Sequence, residues 1–400
     1  MGVQPTLPFH IIGVSHHAAP VEERERFAFS SSDISTLLDS LRVSGLFGLV
    51  LSTCNRCELY WYGTGNGEGW FRDLVLSRGQ SAAPRVTRHA GVAAVRHLFR
   101  VSAGLDSQIL GETEILGQIR RAYDAARAAG TTSRDMDLIF SAALSAGRRV
   151  RRETVLGRHP HSVSSAAVEL ALQQLDRNGR IIVLGAGEAA EGILRALHQY
   201  GASRVTLLNR HPEKAGVLAS AWGAATGSWD ELDRSLARAD LVLVATGSRR
   251  PVITASQLSR VAADRGEQHL LVVDLSVPRN VEPTARGIHG IQLLDLDDLQ
   301  RLCCPAAGIP ADLAEPAAII EDELVRLGSS LHGRIVAPRL AELHRLSQTM
   351  AEQESAWALA QLESLSEAQR EIVRQMAERL VRRVLYPVSR SIREEADTDV

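Results

Sequence analysis

The spacing of apolar residues changes several times along the chain, and the changes divide it into four segments. In the first, HIIGVS (10–15) and FGLVLST (47–53) read as strands, with DISTLLDSLRV (33–43) between them at helical spacing. ELYWYG (58–63) alternates as a further strand, and WFRDLVLSR (70–78) returns to a helical pattern. The spacing predicts a small α+β sandwich. The second segment, 91–152, is helical. GVAAVRHLFRVSAGLDS leads to EILGQIRRAYDAARAAG, which Gly130 ends, and Ser133 with Asp135 suits the start of the next helix.

The third segment, 162–299, opens with the helical HSVSSAAVELALQQL. RIIVLGAGEAAEGILRALHQYG follows, a strand, a glycine turn and a helix. RVTLLN, ADLVLVAT and LLVVDLS are short β-branched runs bounded by turns. Such strands alternating with helices predict a parallel sheet with crossovers. From Ala311 the pattern is helical to the end, with breaks expected near Pro316 and Pro338 and an amphipathic stretch QREIVRQMAERLVRRVL. Pro305, Pro310 and Pro316 suggest a hinge near residue 310, and EEADTDV reads as a disordered end.

A length of 400 residues exceeds what one core usually supports, so two or three domains are expected. The net charge of −2 rules out an overall basic coat, but arginine is clustered. Residues 85–158 hold thirteen arginines against seven acids, and 370–393 hold seven against two. Either patch suits a polyanion or a solvated helix face. Without a signal peptide or a membrane-length apolar run, the expected location is cytoplasmic, where structural disulfides are rare.

Two stretches carry candidate chemistry. Gly185-Ala186-Gly187-Glu188-Ala189-Ala190 follows a strand and opens a helix, the setting a dinucleotide turn needs. Gly185 allows the tight turn, Gly187 lets backbone approach a pyrophosphate, and Ala190 is an accepted small third residue. The next strand ends in Asn209-Arg210, with no acid for a ribose hydroxyl and an arginine for a 2′-phosphate, which favours NADPH. In STCNRCELY, Cys54 and Cys57 stand at a break between strands. A redox pair would need a helix after the CxxC, where a strand pattern follows. A zinc site would need two further ligands, and Cys303 and Cys304 are adjacent rather than spaced as a typical pair. No metal is assigned. A nucleophilic Cys54, activated by nearby positive charge, and a merely buried thiol both remain open.

IGVSHHAAPVEERERFAF, STCNRCELY, HLFRVSAGLDSQILGETEILGQI, VLGAGEAA, LLNR and DLSVPRNVEP occur in the order found in glutamyl-tRNA reductases, and the chain resembles that family along nearly its whole length. The resemblance implies an α/β multidomain protein: an N-terminal α+β catalytic domain (1–158), a Rossmann-type NADPH domain (159–304), and a C-terminal helical dimerisation domain with a long spinal helix (305–400). It implies reduction of glutamyl-tRNA(Glu) by NADPH to glutamate-1-semialdehyde, the first step of five-carbon tetrapyrrole synthesis, with release of tRNA.

Cys54 matches the family nucleophile. Thr53, Asn55 and Arg56 match its substrate-binding neighbours, with Arg56 as a clamp for the glutamate carboxylate. Ser107, Glu112, Thr113, Glu114 and Gln118 match a second substrate-binding stretch, and His97 matches a histidine that handles a proton or orients substrate. His16 and His17 are expected to pack and form hydrogen bonds. Cys57 departs from the family pattern and opens a route to oxidative pairing with Cys54. Glu114 stands where glutamine is common. The implied partners are glutamyl-tRNA, a second copy of the chain, and glutamate-1-semialdehyde aminomutase receiving the aldehyde. Haem feedback is a further possibility, with no histidine assigned to it. The competing readings are an NADP-dependent small-molecule dehydrogenase, a non-catalytic scaffold or regulator, and the same chemistry in a specialised pathway.

Overall fold

A computed structural model describes residues 7–78, 85–157, 162–175, 178–303, 313–362 and 365–398. The chain forms two compact units, one of residues 8–321 and one built on residues 322–400. The expected boundaries at 158/159 and 304/305, and Pro305 and Pro310 of the expected hinge, lie outside the described residues.

The larger unit begins with β1 (Phe9–Ser15), the single-turn α1 (Val21–Arg24), α2 (Ser31–Val43), β2 (Phe47–Ser52) and β3 (Arg56–Tyr62). α3 (Gly67–Ser77), β4 (Thr87–Ala90), α4 (Gly91–Ser102), α5 (Glu114–Ala129) and α6 (Arg134–Glu153) follow. The strands form an antiparallel sheet ordered β2-β3-β1-β4. α4 packs on β1 and α5 on β2, with α3 against β1 and β3. β4 is a strand that TRHA, too short and polar, did not announce. β3 is buried along nearly all its length, polar residues included, so its alternation marks two buried faces rather than one wet face. An aromatic cluster anchors this half: Phe140 lies 6.3 Å from Phe9, 5.8 Å from Tyr60 and 5.4 Å from Tyr123. Burying each such ring contributes about 1.5–3 kcal/mol before ring-pair terms. The helix ends follow their residues: Ser133 accepts from Met136 N–H at the start of α6, and Gly130 closes α5 at φ +72°.

The second half contains α7 (Val163–Leu172), β5 (Ile181–Leu184), α8 (Glu188–Gln199), β6 (Val205–Leu208), α9 (Pro212–Trp222), β7 (Ala225–Gly227) and α10 (Leu232–Arg238). β8 (Leu241–Val244), α11 (Ala255–Arg265), β9 (Leu270–Asp274), β10 (Ile291–Leu294) and α12 (Leu296–Cys303) complete it. Its six strands are parallel in the order β10-β9-β8-β5-β6-β7. The order reverses between β5 and β8, where doubly wound sheets bind dinucleotides. α7, α8, α9 and α12 cover one face, and α10 and α11 the other.

The smaller unit is built from α13 (Ala314–Gln361), which starts in the larger unit, and α14 (Glu367–Thr398). Pro316 falls in the first turn of α13, where its missing N–H has no helical partner to lose. Pro338 lies inside the same helix without ending it, which corrects the expected breaks. α14 also runs on to Thr398 through most of the stretch read as disordered. No helix among the described residues is long and apolar enough to cross a membrane.

Candidate active site

The β2–β3 connection is a tight turn that presents Cys54. Thr53 N–H donates to Arg56 O at 2.8 Å, and Thr53 Oγ1 accepts from Asn55 N–H at 3.1 Å and Arg56 N–H at 3.2 Å. The threonine therefore shapes the turn. Cys54 is partly exposed and packs against the apolar core of the dinucleotide half. Burial pushes its thiol up to about 12, the Glu112 and Glu114 carboxylates push the same way, and Arg24 opposes them. Burial is the main cause, with two acids adding to it against the one cation, Arg24. Asn55 is buried, and neither Nδ2 nor Oδ1 of its side chain has a partner among the described residues. An orphaned carboxamide on the Cys54 turn suits a bound polar group, because leaving it unpaired costs about 1–3 kcal/mol.

Beneath the turn lies a buried ionic chain. Arg56 Nη1 contacts Glu58 Oε1 and Asp106 Oδ2, each at 3.1 Å, and its Nη2 donates to the Asp106 carbonyl. The Arg56 side chain is wholly buried. The guanidinium, expected as a clamp for the glutamate carboxylate, is engaged by two acids of the protein and holds the site together. His97, on α4, donates from Nε2 to Glu58 Oε1 at 2.9 Å, and its Nδ1 lies 3.9 Å from Asp106 Oδ2. The Tyr60 hydroxyl donates to Glu58 Oε2, joining the chain to the aromatic cluster. Burial would raise the Glu58 carboxyl, but Arg56, His97 and Tyr60 together bring it down to about 2. His17 reaches Asp106 Oδ1 at 3.1 Å. The His16 ring lies 3.9 Å from that of His17, but its nitrogens have no hydrogen-bond partner among the described residues, contrary to the hydrogen bond expected. Burial, with His17, Arg56 and Arg24, pushes His16 down to about 3, so it is neutral.

Cys57 points elsewhere. It follows Arg56 and precedes Glu58 on β3, so alternation sends its side chain to the opposite face. It is buried, and burial followed by Glu58 raises its thiol well above the ordinary range. Nothing in this arrangement favours oxidative pairing with Cys54.

The second stretch wraps the same site. The Ser107 hydroxyl hydrogen-bonds the buried Glu112 carboxylate. Burial, then the charge of Glu114, raises Glu112 to about 7 against Arg56, Ser107 and Arg151. Arg151 donates to the Glu112 and Thr113 carbonyls at 2.9 and 3.0 Å, fixing the backbone entering α5. Glu114 opens α5; burial, then Glu188, raises its carboxyl. Gln118, one turn on, has a carbonyl oxygen with no partner among the described residues.

In the dinucleotide half, Gly185 ends β5 at φ +114°, and a Cβ there would stand 2.1 Å from the Ala245 carbonyl oxygen. Only glycine fits. Gly187 caps α8, and a Cβ on it would meet nothing within 4 Å, so its space faces outward for a phosphate. Ala186 lines an open cleft of about 440 Å³ with Glu213, Lys214, Val217 and Leu218 of α9. Ala189 packs against the core, and Ala190 is buried in it. Arg210 is exposed, its guanidinium 5.4 Å over the Trp229 ring and unmatched by a carboxylate among the described residues. Asn209 donates its side-chain amide to the His211 carbonyl at 3.1 Å, which shapes the bend beside Arg210. These residues fit a phosphorylated dinucleotide. Glu188 alone is drawn away, to Arg121 of α5 at 2.8 Å.

That ion pair is one of several joining the two halves of the larger unit. Arg279 bonds Glu22 and Glu25, Arg249 reaches Asp33 at 2.7 Å, and Arg24 bonds Asp297. Arg24, Glu58 and Asp106 were missed in the sequence. Arg56 and Glu58 two apart on one strand were the available signal, since both must share a face. Several arginines of the 85–158 patch are likewise engaged inside the protein: Arg96 with Glu321, Arg121 with Glu188, and Arg151 with backbone.

The fold and site define an oxidoreductase with a dinucleotide-binding half. The glutamyl-tRNA reductase N-terminal domain model matches residues 12–154, the shikimate/quinate 5-dehydrogenase model residues 169–302, and the glutamyl-tRNA reductase dimerisation domain model residues 315–399. The chain is 36% identical over 399 residues to the glutamyl-tRNA reductase of Desulfitobacterium hafniense, covering 97% of this chain and 90% of that one. Against that of Myxococcus xanthus it is 33% identical over 389 residues, covering 96% and 88%. The structure of the Methanopyrus kandleri glutamyl-tRNA reductase aligns over 98% of this chain and 100% of that one, at 28% identity and a TM-score of 0.45. The chain belongs to the glutamyl-tRNA reductase family.

Proposed function

We propose that this protein reduces glutamyl-tRNA(Glu) to glutamate-1-semialdehyde with NADPH, through a thioester on Cys54, as the first step of five-carbon tetrapyrrole synthesis. The observation that carries the reading is that one turn bears both the Cys54 thiol, packed against the dinucleotide half, and the buried Asn55 carboxamide, unpartnered among the described residues. Cys54 Sγ attacks the acyl carbon of the glutamyl ester and loses its proton. The ester C–O bond breaks, and tRNA leaves as the free hydroxyl. Glu112, its carboxyl raised to about 7 by burial and then Glu114, carries that proton from thiol to leaving oxygen. Asn55 orients the acyl group, Thr53 holds the turn, and Ser107 fixes Glu112. Thr113, Glu114 and Gln118 border the substrate at the start of α5. His97, held between Glu58 and Asp106, orients the glutamyl group, with Arg56 as the positioning residue under both acids.

Gly185, Gly187, the start of α8 and Arg210 would hold NADPH, which when bound would supply the hydride that takes the thioester to the aldehyde and frees the Cys54 sulfur. The exposed row Ile372, Met376, Leu380, Val384 and Val388 on α14 recurs every four residues and supports a homodimer through the smaller unit. The remaining arginines of 85–158 support the tRNA contact. Glutamate-1-semialdehyde aminomutase as recipient of the labile aldehyde, haem feedback and a cytoplasmic location complete the reading by family likeness. The test is turnover of charged glutamyl-tRNA with NADPH. Semialdehyde and free tRNA should appear with the intact protein, and none should appear with Cys54→Ala. Aldehyde formation by that variant at the parent rate refutes the thioester route.

A further inference from the structure

Arg24 is buried at the point where three elements meet. It ends the single-turn α1, and its Nη1 donates to the Cys54 carbonyl at 2.7 Å. Its Nη2 bonds Asp297 Oδ1 in the first turn of α12, in the dinucleotide half. Asp297 Oδ2 accepts from Val21 N–H at 2.8 Å, so the acid grips both ends of α1. Gln108 Nε2 donates to Asp297 Oδ1 at 3.3 Å and to Gln300 Oε1 at 3.2 Å, tying the 105–113 loop to α12. One planar guanidinium therefore holds the backbone of the cysteine residue with one nitrogen and the other half of the molecule with another.

We propose that Arg24 is a positioning residue that couples the seating of the dinucleotide half, through Asp297, to the position and reactivity of Cys54. The fork geometry suits this. Arginine offers rigidly spaced donors, so displacing Asp297 pulls on the bond to the Cys54 carbonyl. A buried guanidinium without its carboxylate is costly, so it follows the acid or leaves the site. Burial opposes ionisation of the thiol most, Glu112 and Glu114 add to it, and Arg24 favours ionisation. When Asp297 holds Arg24 against the turn, the sulfur has its cation. Without Asp297, Arg24 loses the carboxylate that holds it there, and the sulfur keeps only its burial and the two acids. Thioester formation is thereby favoured with the hydride donor's domain in place. The inference rests on the Cys54 reading above.

The test is the rate at which iodoacetamide alkylates Cys54, mapped by peptide mass spectrometry on the full-length protein at about pH 8. This readout does not require turnover. A failed nucleophile reading would show in the Cys54→Ala assay, and a failed coupling in the alkylation series. Arg24→Met should slow alkylation roughly tenfold, the effect of about one unit in thiol ionisation. Asp297→Ala touches no cysteine atom, yet should slow it roughly threefold or more. The double variant should be no slower than Arg24→Met alone. Arg24→Lys retains the charge without the fork; it should keep most of the rate and lose the sensitivity to Asp297→Ala. Should Arg24→Met not fold, the lysine and Asp297 arms decide. An unchanged or faster rate in Asp297→Ala overturns the proposal. So does an Asp297→Ala effect as large in the Arg24→Lys background as in the parent.

Discussion

His97 Nε2 stands 2.9 Å from Glu58 Oε1, and the same oxygen lies 3.1 Å from Arg56 Nη1. One buried carboxylate thus fixes a helix-borne histidine and a strand-borne arginine.

Glu58→Gln should therefore cost about 3–5 kcal/mol in denaturant unfolding, because it leaves a buried guanidinium short of its charge. The pH dependence has a definite sign. The Glu58 carboxyl is brought down to about 2, so its stabilisation is complete above its unfolded value and is lost as pH falls through the folded one. The parent should lose stability over that acid window, and the variant should lose less. A loss under about 1 kcal/mol, the size of an exposed pair, would contradict the buried-chain account.

Glu112 moves the other way. Burial and Glu114 raise it to about 7, so its contribution is complete below its unfolded value and fades as pH rises through neutrality. Glu112→Gln should gain in unfolding free energy relative to the parent between mildly acidic and mildly alkaline buffer, by on the order of 2 kcal/mol. Its turnover should fall at every pH if the carboxyl carries a proton. A stability difference that stays constant with pH argues against the raised carboxyl.

Arg210 lies over Trp229 at the end of β6 with no carboxylate beside it among the described residues. Arg210→Asp should lower kcat/KM for NADPH by roughly tenfold or more while leaving NADH nearly unaffected, since only one of them carries the 2′-phosphate. Equal losses with the two cofactors would mean that the residue serves the fold.

The dinucleotide half was legible because its strands are buried on both faces and read as uniform apolar runs between glycine turns. The Cys54 turn was legible as a break between two strands. Its electrostatics were not. The carboxylates that oppose ionisation, Glu112 and Glu114, come from a segment some sixty residues away in sequence, and only packing brings them to the sulfur. Arg56 looked like a free fork, because nothing local announces that Asp106 reaches it across the domain. Pro338 looked like a break, yet α13 continues past it. Arg24 was one arginine in a charged run, and its role exists only where α12 meets α1.

The central claim is covalent capture by Cys54. The direct measurement is intact-protein and peptide mass spectrometry after mixing the full-length chain with glutamyl-tRNA in the absence of NADPH. The account predicts one glutamyl mass increment on the peptide bearing Cys54, removed by hydroxylamine and absent from Cys57. Product formation on adding NADPH, with no such increment ever detectable on Cys54, would contradict it.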